Sequence, residues 1–233
     1  FFSSRRRHTR FRGVTGVQTC ALPILGKELI GQPFLETEYF KKEVRRYLGY
    51  GKQLPDETVQ GLIGGCAKEL WDCIQPRHLT ARYPLDLKPE GEIRTAGLTL
   101  HSRALSKNLH DCKEVIFFAA TLGNGADMLI ARYSKIAVSK AAVMQAVAAT
   151  VMEEYCDRCQ ERIKEELQTE GLTLRPRFSP GFGDLSLQIQ RDFLNVLNAG
   201  KYAGIFLSEG NIMLPEKSVT AFMGVCRMGD SAV

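Results

Sequence analysis

The spacing of hydrophobic and polar positions predicts helices and strands that alternate irregularly along this chain. Apolar residues recur every three to four positions in the segments predicted as helices, and they alternate with polar residues or run continuously in those predicted as strands. The predicted helices are 38–48, 56–73, 102–109, a segment ending near 133, 138–167 and 185–197, and the predicted strands are 79–87, 91–100, 114–120, 204–208 and 218–225. This order, with mostly antiparallel strands between helices, predicts an α+β fold in which helices pack on the sheet.

Capping residues mark several of the predicted helix ends. Asp56 follows Pro55 at the start of one helix and Ser102 precedes another, and both residue types are strong N-caps. Gly171 follows the longest predicted helix, 138–167, and indicates where it ends, because glycine readily adopts the left-handed conformation found after helix ends. Half of that helix is rich in alanine, which allows close packing and predicts that most of it belongs to the core.

The first 24 residues differ in character from the rest of the chain. The segment VTGVQTCALPI at 14–24 resembles the conceptual translation of a DNA-sequencing adapter, and SSRRRHTR at 3–10 resembles the same contamination. We therefore interpret residues 1–24 as an assembly artefact and residues 25–233 as one domain. The alternative is a targeting peptide, since the segment is rich in arginine and lacks acids, but it has no continuous apolar region.

Setting this leader aside changes the electrostatic interpretation. The formal charge is +5, from 31 basic and 26 acidic residues. The leader contains five arginines and no acid, so 26 basic residues remain against 26 acidic ones. A near-neutral body gives no general electrostatic reason to bind nucleic acid or an anionic membrane, and no apolar run reaches the roughly 20 residues that span a bilayer. We expect neither nucleic acid nor a membrane as a partner, and a cytoplasmic location.

Six cysteines follow the leader, and they do not form the pattern of a secreted disulfide framework. In a chain of this length without a credible signal peptide, reduced thiols are expected. Cys156 and Cys159 form a Cys-x-x-Cys pair, which is compatible with zinc or redox chemistry. The pair lies in a helical pattern and lacks a second pair at zinc-finger spacing, so packed thiols are favoured and no metal site is predicted.

A Gly-x-Gly turn follows the predicted strand 114–120. The sequence TLGNGAD at 121–127 resembles the start of a nucleotide-binding fold, in which backbone donors at a helix N-terminus hold the ligand. The third glycine position is Met128, and no regular strand–helix alternation follows. A structural turn is therefore favoured over a phosphate site, and both interpretations stay open at this point.

The run RFSPGFGD at 177–184 is the strongest indication of a ligand site. Pro180 removes a backbone donor and pushes Ser179 to an extended conformation, while Gly181 permits backbone angles closed to other residues. Such a loop is rigid and presents main-chain groups beside one cation, Arg177. We predict that it binds a small molecule.

From about 38 to 225 the chain resembles the activation domain of cobalamin-dependent methionine synthase, in the free-standing form found in anaerobic bacteria. The resemblance rests on RFSPGFGD at 177–184, on LSE at 207–209 followed by Met213, Pro215 and KSV at 217–219, and on YLGY at 47–50 with ATLG at 120–123. It implies the fold of that domain and a binding site for S-adenosylmethionine.

By position, the resemblance also implies which residues bind this methyl donor. Arg177 would contact the donor's carboxylate, for which the fork of a guanidinium is well suited, and Glu153 matches a helix acid that approaches the amino group. Ser179 and Gly181 would offer backbone groups, and Phe182 would stand where the full-length synthases have tyrosine. The residues expected to support the loop are Pro180, Asp184, Glu209 and Ser218. No catalytic residue and no metal ligand are implied.

The resemblance further implies a repair role in methionine biosynthesis. The cobalt of a partner's cobalamin occasionally oxidises to the cob(II) state, which takes an electron and then a methyl group from S-adenosylmethionine. This chain would hold the methyl donor, the methionine synthase partner would carry the cobalamin, and a flavodoxin- or ferredoxin-type protein would supply the electron. As an accessory subunit, the chain is not expected to turn over alone.

The chain departs from the family pattern in several places. Phe182 lacks the tyrosine hydroxyl, and an acidic ligand near the domain start and a tyrosine near its end have no assigned position. Free-standing relatives often continue into a cysteine-rich tail, so a truncated C-terminus is expected. Two alternatives therefore stay open: reactivation of another corrinoid-dependent methyltransferase, and a module that docks on a corrinoid protein without binding S-adenosylmethionine.

Overall fold

The structure, a computed structural model, describes residues 19–229, which form a sheet with helices packed on both faces. The strands are β1 (Thr19–Leu25), β2 (Arg77–Leu87), β3 (Glu92–Thr95), β4 (Leu98–His101), β5 (Glu114–Thr121), β6 (Leu172–Leu174), β7 (Phe206–Leu207), β8 (Met213–Leu214) and β9 (Ser218–Arg227). The helices are α1 (Lys27–Ile30), α2 (Glu38–Tyr47), α3 (Glu57–Cys73), α4 (Arg103–Asn108), α5 (Asn124–Ile136), α6 (Val138–Gln168), α7 (Gln190–Val196) and α8 (Ala199–Tyr202).

The main sheet is antiparallel at each of its strand pairs. Its strand order is β4-β3-β2-β5-β9-β6, and β1 pairs with the first half of β2. The central strand, β5, pairs along its whole length with β2 on one side and β9 on the other. β7 and β8 form a separate two-stranded hairpin. The α+β fold predicted from the sequence, with its mostly antiparallel sheet and one long helix, is confirmed.

Strand β5 shows why the sheet is buried on both faces. Every residue from 115 to 121 is buried, as a continuous apolar run predicts. Successive side chains of a strand point to opposite faces, so Phe118 joins the core under α3, α5 and α6, while Phe117 joins the core on the other face. There the Phe117 ring contacts Phe193 and Phe222, at centroid distances of 4.8 and 4.9 Å. One sheet therefore separates two hydrophobic cores.

The predicted caps are present at two helix starts. The Asp56 carboxylate accepts a hydrogen bond from the Val59 amide at 2.8 Å, and α3 begins after it. The Ser102 hydroxyl accepts from the Leu105 amide at 2.9 Å at the start of α4. The long helix α6 is followed by Gly171 with φ of +71°. These signals are local, which explains why they could be read from the sequence.

Three predicted elements differ from the structure. The segment 91–100, predicted as one extended stretch, is the β3–β4 hairpin, because Ala96 and Gly97 turn the chain with φ of +51° and +76°. The predicted helix 185–197 becomes a short 3₁₀ turn followed by α7. The predicted strand 204–208 shrinks to β7, which pairs with β8 outside the main sheet. In the β3–β4 turn, the positive φ of both Ala96 and Gly97 is typical of a tight hairpin turn.

The structure bears only in part on the interpretation of the leader. Residues 1–18 and 230–233 lie outside the described residues. Residues 19–25 form β1, whose backbone pairs with β2 between Thr19↔Ala81 and Leu25↔Arg77. The interpretation of residues 1–24 as an artefact stays a prediction.

Candidate functional site

Arg177 reaches helix α6 because of the way its segment runs along the edge of the sheet. β6 pairs with β9 as far as Leu174↔Val225, and Phe178 pairs again with Phe222. Between these two pairs the chain advances four residues from Leu174 to Phe178, while β9 advances only three from Phe222 to Val225. One extra residue on one strand is the arrangement of a β-bulge. Phe178 belongs to the same core as Phe222. The neighbouring Arg177 side chain points to the opposite face, where it contacts α6.

Three polar side chains of α6 hold the guanidinium. Nη2 of Arg177 donates to Oδ1 of Asp157 at 2.8 Å and to Oε2 of Glu153 at 3.4 Å. Nη1 donates to Oε1 of Gln160 at 3.3 Å. The three partners are spaced i, i+4 and i+7, which places them on one face of the helix. We call these four residues the Arg177 cluster.

The Arg177 cluster is electrostatically unbalanced. Burial disfavours the charged guanidinium, but Cys156, Asp157 and Glu153 of α6 together outweigh it and raise the pKa of Arg177 above its usual value. The Arg177 side chain is 18% exposed, whereas those of Glu153 and Asp157 are 54% and 49% exposed. Two carboxylates thus face one cation. On α2, burial raises the pKa of Tyr39, and the carboxylates of Glu43 and Asp157 raise it further.

The loop after Arg177 is held by its own main-chain hydrogen bonds. The Phe182 amide donates to the Ser179 carbonyl at 3.1 Å, which closes a turn around Pro180 and Gly181. Gly181 has φ of +86°, as the third position of a type II turn requires. The Gly181 amide donates to the Leu185 carbonyl at 2.9 Å, and the Leu185 amide donates to the Phe182 carbonyl at 3.1 Å. The rigid loop expected from the sequence is therefore built from two linked turns.

These turns decide which main-chain groups of the loop are left for a ligand. The Ser179 carbonyl and the Gly181 amide are used inside the loop. The Ser179 amide and the Gly181 carbonyl make no hydrogen bond to any of residues 19–229. The loop therefore leaves one main-chain donor and one main-chain acceptor, two and four residues after Arg177 in the sequence.

Phe182 extends from the tip of the loop. Its ring packs edge-on against Phe178, with centroids 5.3 Å apart and planes at 81°. The residue is 67% exposed. Most of its ring surface can therefore contact a ligand or another protein.

Asp184 anchors the far end of the loop to α4. Its Oδ2 accepts from the Arg103 amide at 2.8 Å, and its Oδ1 accepts from the Ala104 amide at 3.2 Å and from the Ser102 hydroxyl. The hydrogen bond from Ser102, followed by those from the backbone, lowers the pKa of Asp184. For the predicted helix 185–197, the sequence offers Asp184 or Ser186 as the N-cap, since both residue types cap helices. Ser186 caps the 3₁₀ turn that begins this segment, as one of the two alternatives predicted, whereas Asp184 caps α4 instead.

Two of the predicted support residues lie away from the Arg177 cluster. Glu209 is exposed in the turn between β7 and β8. Ser218 is buried at the start of β9, where its hydroxyl donates to the Pro215 carbonyl at 2.7 Å. Neither makes a side-chain hydrogen bond or ion pair with the Arg177 cluster or the loop in the described part of the chain. Their support of the loop stays a prediction.

The family resemblance named Glu153 as a candidate ligand residue, and neither it nor the sequence pattern named the other two side chains of α6 that contact Arg177. Asp157 makes the shortest contact with Arg177, and Gln160 makes the contact to the other terminal nitrogen. A signal was present, because both lie at helical spacing from Glu153. That signal alone was weak, since most polar stripes on helices are solvated.

Two surface depressions lie elsewhere. One, of about 560 Å³, is lined by α7, α8 and β7, and the other, of about 530 Å³, is lined by the Gly-x-Gly turn together with Arg77 and Arg132. Gly125 in that turn packs against the end of α3, where an added Cβ would lie 2.3 Å from the Cys73 carbonyl oxygen. This contact explains the second glycine by packing, as the favoured interpretation of the turn requires.

A buried polar cluster lies between β2 and α6. Nδ1 of His78 is 2.9 Å from the Tyr155 hydroxyl and 3.3 Å from Sγ of Cys159. His78 is 4% exposed and the other two are fully buried. Burial lowers the pKa of His78 to about 4, so the imidazole is neutral at pH 7. We interpret this cluster as part of the core.

The Cys-x-x-Cys pair also belongs to the core. Cys156 and Cys159 are free thiols with 0% exposure. Burial raises the pKa of both, that of Cys159 to about 12. Within residues 19–229, no group of three or more histidine, cysteine or acidic side chains is arranged to hold a metal. No helix in the same range is long and apolar enough to cross a membrane.

Comparison with known proteins adds one finding to this geometry. No family model matches the chain, and no curated protein matches it. Among solved structures, the fold is similar to a crystal structure of the MetH reactivation domain bound to AdoHcy, with a TM-score of 0.60. The match covers 94% of this chain and 80% of that chain, at 16% sequence identity. The fold is therefore that of a reactivation domain, and at this identity the similarity extends no further than the fold.

Proposed function

We propose that this chain binds S-adenosylmethionine and acts as the reactivation subunit of a cobalamin-dependent methionine synthase. The observation that carries the proposal is the contact of 3.4 Å between Arg177 and Glu153 at the base of the Pro-Gly loop. The amino-acid end of S-adenosylmethionine is a zwitterion, which needs one cation and one anion close together. The fold shared with a domain crystallised with AdoHcy supports the same assignment.

Each residue has a defined role in this proposal. Arg177 binds the ligand's carboxylate and Glu153 its amino group, while the Ser179 amide and the Gly181 carbonyl contact the rest of the ligand. Phe182 offers an apolar surface without a hydroxyl. S-adenosylmethionine would supply the methyl group, and the partner would carry the cobalamin. The residues of this chain bind and orient the donor, which is a positioning effect that needs no protein nucleophile.

The partner is the less constrained half of the proposal. Methionine synthase is favoured because the similar solved structure is one of its domains. A reactivator of another corrinoid-dependent methyltransferase would use the same ligand site with a different partner. A docking module without S-adenosylmethionine is favoured by one observation, the 67% exposure of Phe182, because an exposed ring can also pack against a protein surface.

Calorimetry on the full chain tests the ligand site. A hydrogen bond to a charged partner is worth about 1.5–3 kcal/mol, so Arg177→Ala should weaken S-adenosylmethionine binding about 10- to 100-fold. The affinity of Arg177→Lys should lie between those of the unmodified chain and Arg177→Ala, because lysine keeps the charge but lacks the forked guanidinium. Arg191→Ala is the matched control, since Arg191 is an exposed arginine of α7 in a separate depression. Its affinity should equal that of the unmodified chain.

The outcomes separate the alternatives. Binding that is lost in Arg177→Ala and kept in Arg191→Ala, with both variants folded by circular dichroism, supports the site. A folded, unmodified chain that binds neither S-adenosylmethionine nor AdoHcy would remove the ligand from the proposal and leave the docking module. Equal losses in both arginine variants would show that binding depends on overall charge and not on the Arg177 cluster.

A further inference from the structure

We infer that Asp157 occupies the position on Arg177 that a ligand's carboxylate must take, and that it thereby sets the affinity of the site. The inference rests on the proposed function, since it concerns the same guanidinium. It adds a competitor within the chain, on the same face of α6 as Glu153. Asp157 is a residue that sets affinity and does not touch the reacting atoms.

The hydrogen bonds of Arg177 show why a ligand's carboxylate must compete with an acid of α6. A carboxylate that binds arginine in the two-pronged way uses two parallel N–H groups from one edge of the guanidinium. Both usable edges include Nη2, which already donates to Asp157 at 2.8 Å and to Glu153 at 3.4 Å. Nη1 is engaged with Gln160 at 3.3 Å. A ligand's carboxylate can therefore bind with both oxygens only after an acid leaves Nη2.

The two acids are not equivalent. Glu153 makes the longer contact and has an alternative partner in the ligand's amino group. Asp157 makes the shorter contact, and its carboxylate accepts no other side-chain or backbone hydrogen bond within residues 19–229. A ligand that brings its own carboxylate thus replaces Asp157 and keeps Glu153. The free energy of the Asp157–Arg177 contact is subtracted from binding, in the same way as any competing conformation lowers an apparent affinity.

Asp157→Asn tests this competition, because it removes the charge and keeps the shape. Since Asp157 is about half exposed, its contact is screened, and its removal should tighten binding of S-adenosylmethionine and AdoHcy about 3- to 10-fold. Glu161→Gln is the matched control, since Glu161 lies one turn further along α6 and contacts Arg158 at 3.5 Å. Calorimetry on the full chain should show no change for the control. If the Asp157–Arg177 ion pair were purely structural, Asp157→Asn should weaken ligand binding, because its loss would make Arg177 less well positioned.

A second readout does not depend on the ligand. Phenylglyoxal modifies accessible guanidinium groups, and mass spectrometry locates the modified arginine. Without the carboxylate of Asp157, Arg177 should react faster in Asp157→Asn than in the unmodified chain or in Glu161→Gln. An unchanged reactivity of Arg177 in Asp157→Asn counts against the inference.

The binding results distinguish failure of the inference from failure of the proposed function. Tighter binding by Asp157→Asn alone supports both. If the unmodified chain binds and Asp157→Asn binds equally or more weakly, the inference is wrong and the proposed function stands. If neither protein binds S-adenosylmethionine or AdoHcy, the proposed function fails, and the inference fails with it.

Discussion

Gly125→Ala should destabilise the protein, because Gly125 lies where the start of α5 meets the end of α3. A Cβ at this position would lie 2.3 Å from the carbonyl oxygen of Cys73 and 2.9 Å from its carbonyl carbon. Both atoms belong to the backbone, so no side chain can rotate away to relieve the contact. The two helices must separate, or α5 must begin differently.

The magnitude follows from two opposing effects. Overpacking in a well-packed region costs about 1–3 kcal/mol, and replacing glycine by alanine in a helix returns about 0.5–1 kcal/mol. We therefore expect a net loss of up to about 2.5 kcal/mol in the free energy of unfolding, with a central value of about 1 kcal/mol. For a chain of this size, the central value lowers the midpoint of thermal unfolding by about 2–4 °C, and the upper limit lowers it by up to about 10 °C.

Gly64→Ala provides the matched comparison, because Gly64 lies in α3 with nothing within 4 Å of an added Cβ. The same substitution there should raise the free energy of unfolding by about 0.5–1 kcal/mol. Urea unfolding of both variants, followed by circular dichroism, measures the difference in sign. If Gly125→Ala proves as stable as Gly64→Ala, the close contact does not exist, and interpretation of the Gly-x-Gly turn as a phosphate site is open again.

Two further predictions concern pH. The pKa of His78 falls from 6.5 in the unfolded chain to about 4 in the fold, so the unfolded state binds a proton first as the pH drops. Stability should therefore decrease by about 3 kcal/mol between pH 6.5 and pH 4, and urea unfolding across this range should show a flatter profile for His78→Gln; an identical profile would contradict this. The pKa of Asp184 is lowered in the fold. Its contribution to the free energy of unfolding is therefore fully present above the ordinary carboxyl pKa, and it is lost as the pH falls through the lowered pKa of the folded state. Asp184→Asn should thus lower the unfolding temperature at pH 7 and differ less from the unmodified chain in acid, and a gap that stays constant with pH would refute the assignment.

The elements that the sequence predicted well carry their information locally. Strand β5 is a continuous apolar run, and the N-cap Asp56 together with a regular apolar face predicts α3. Helix α6 has no internal glycine or proline, and Gly171 follows it. In each case the deciding residues lie within a few positions of the element they define.

The elements that were predicted poorly depend on features that composition does not show. The β3–β4 turn places Ala96 at φ of +51°, a conformation that alanine seldom adopts, so the residue type at this position did not indicate a turn. Asp184 was one of two candidate caps for the predicted helix 185–197, and it instead caps α4, some 80 residues earlier in the chain. Such a contact follows from tertiary packing, which the residues next to Asp184 in the sequence do not show.

The position of the candidate site depends on sheet register in the same way. In an uninterrupted register continued from Leu174↔Val225, residue 177 would oppose Phe222, whose side chain lies in the core on the far side from α6. A shift of one residue moves every side chain to the other face, so Arg177 would then point into that core. The extra residue of the bulge instead aligns Phe178 with Phe222 and turns Arg177 toward Asp157. Pro176 lies in the bulged segment, where a missing amide is tolerated. Identifying Arg177 therefore required only the loop motif, whereas identifying its partners required the register.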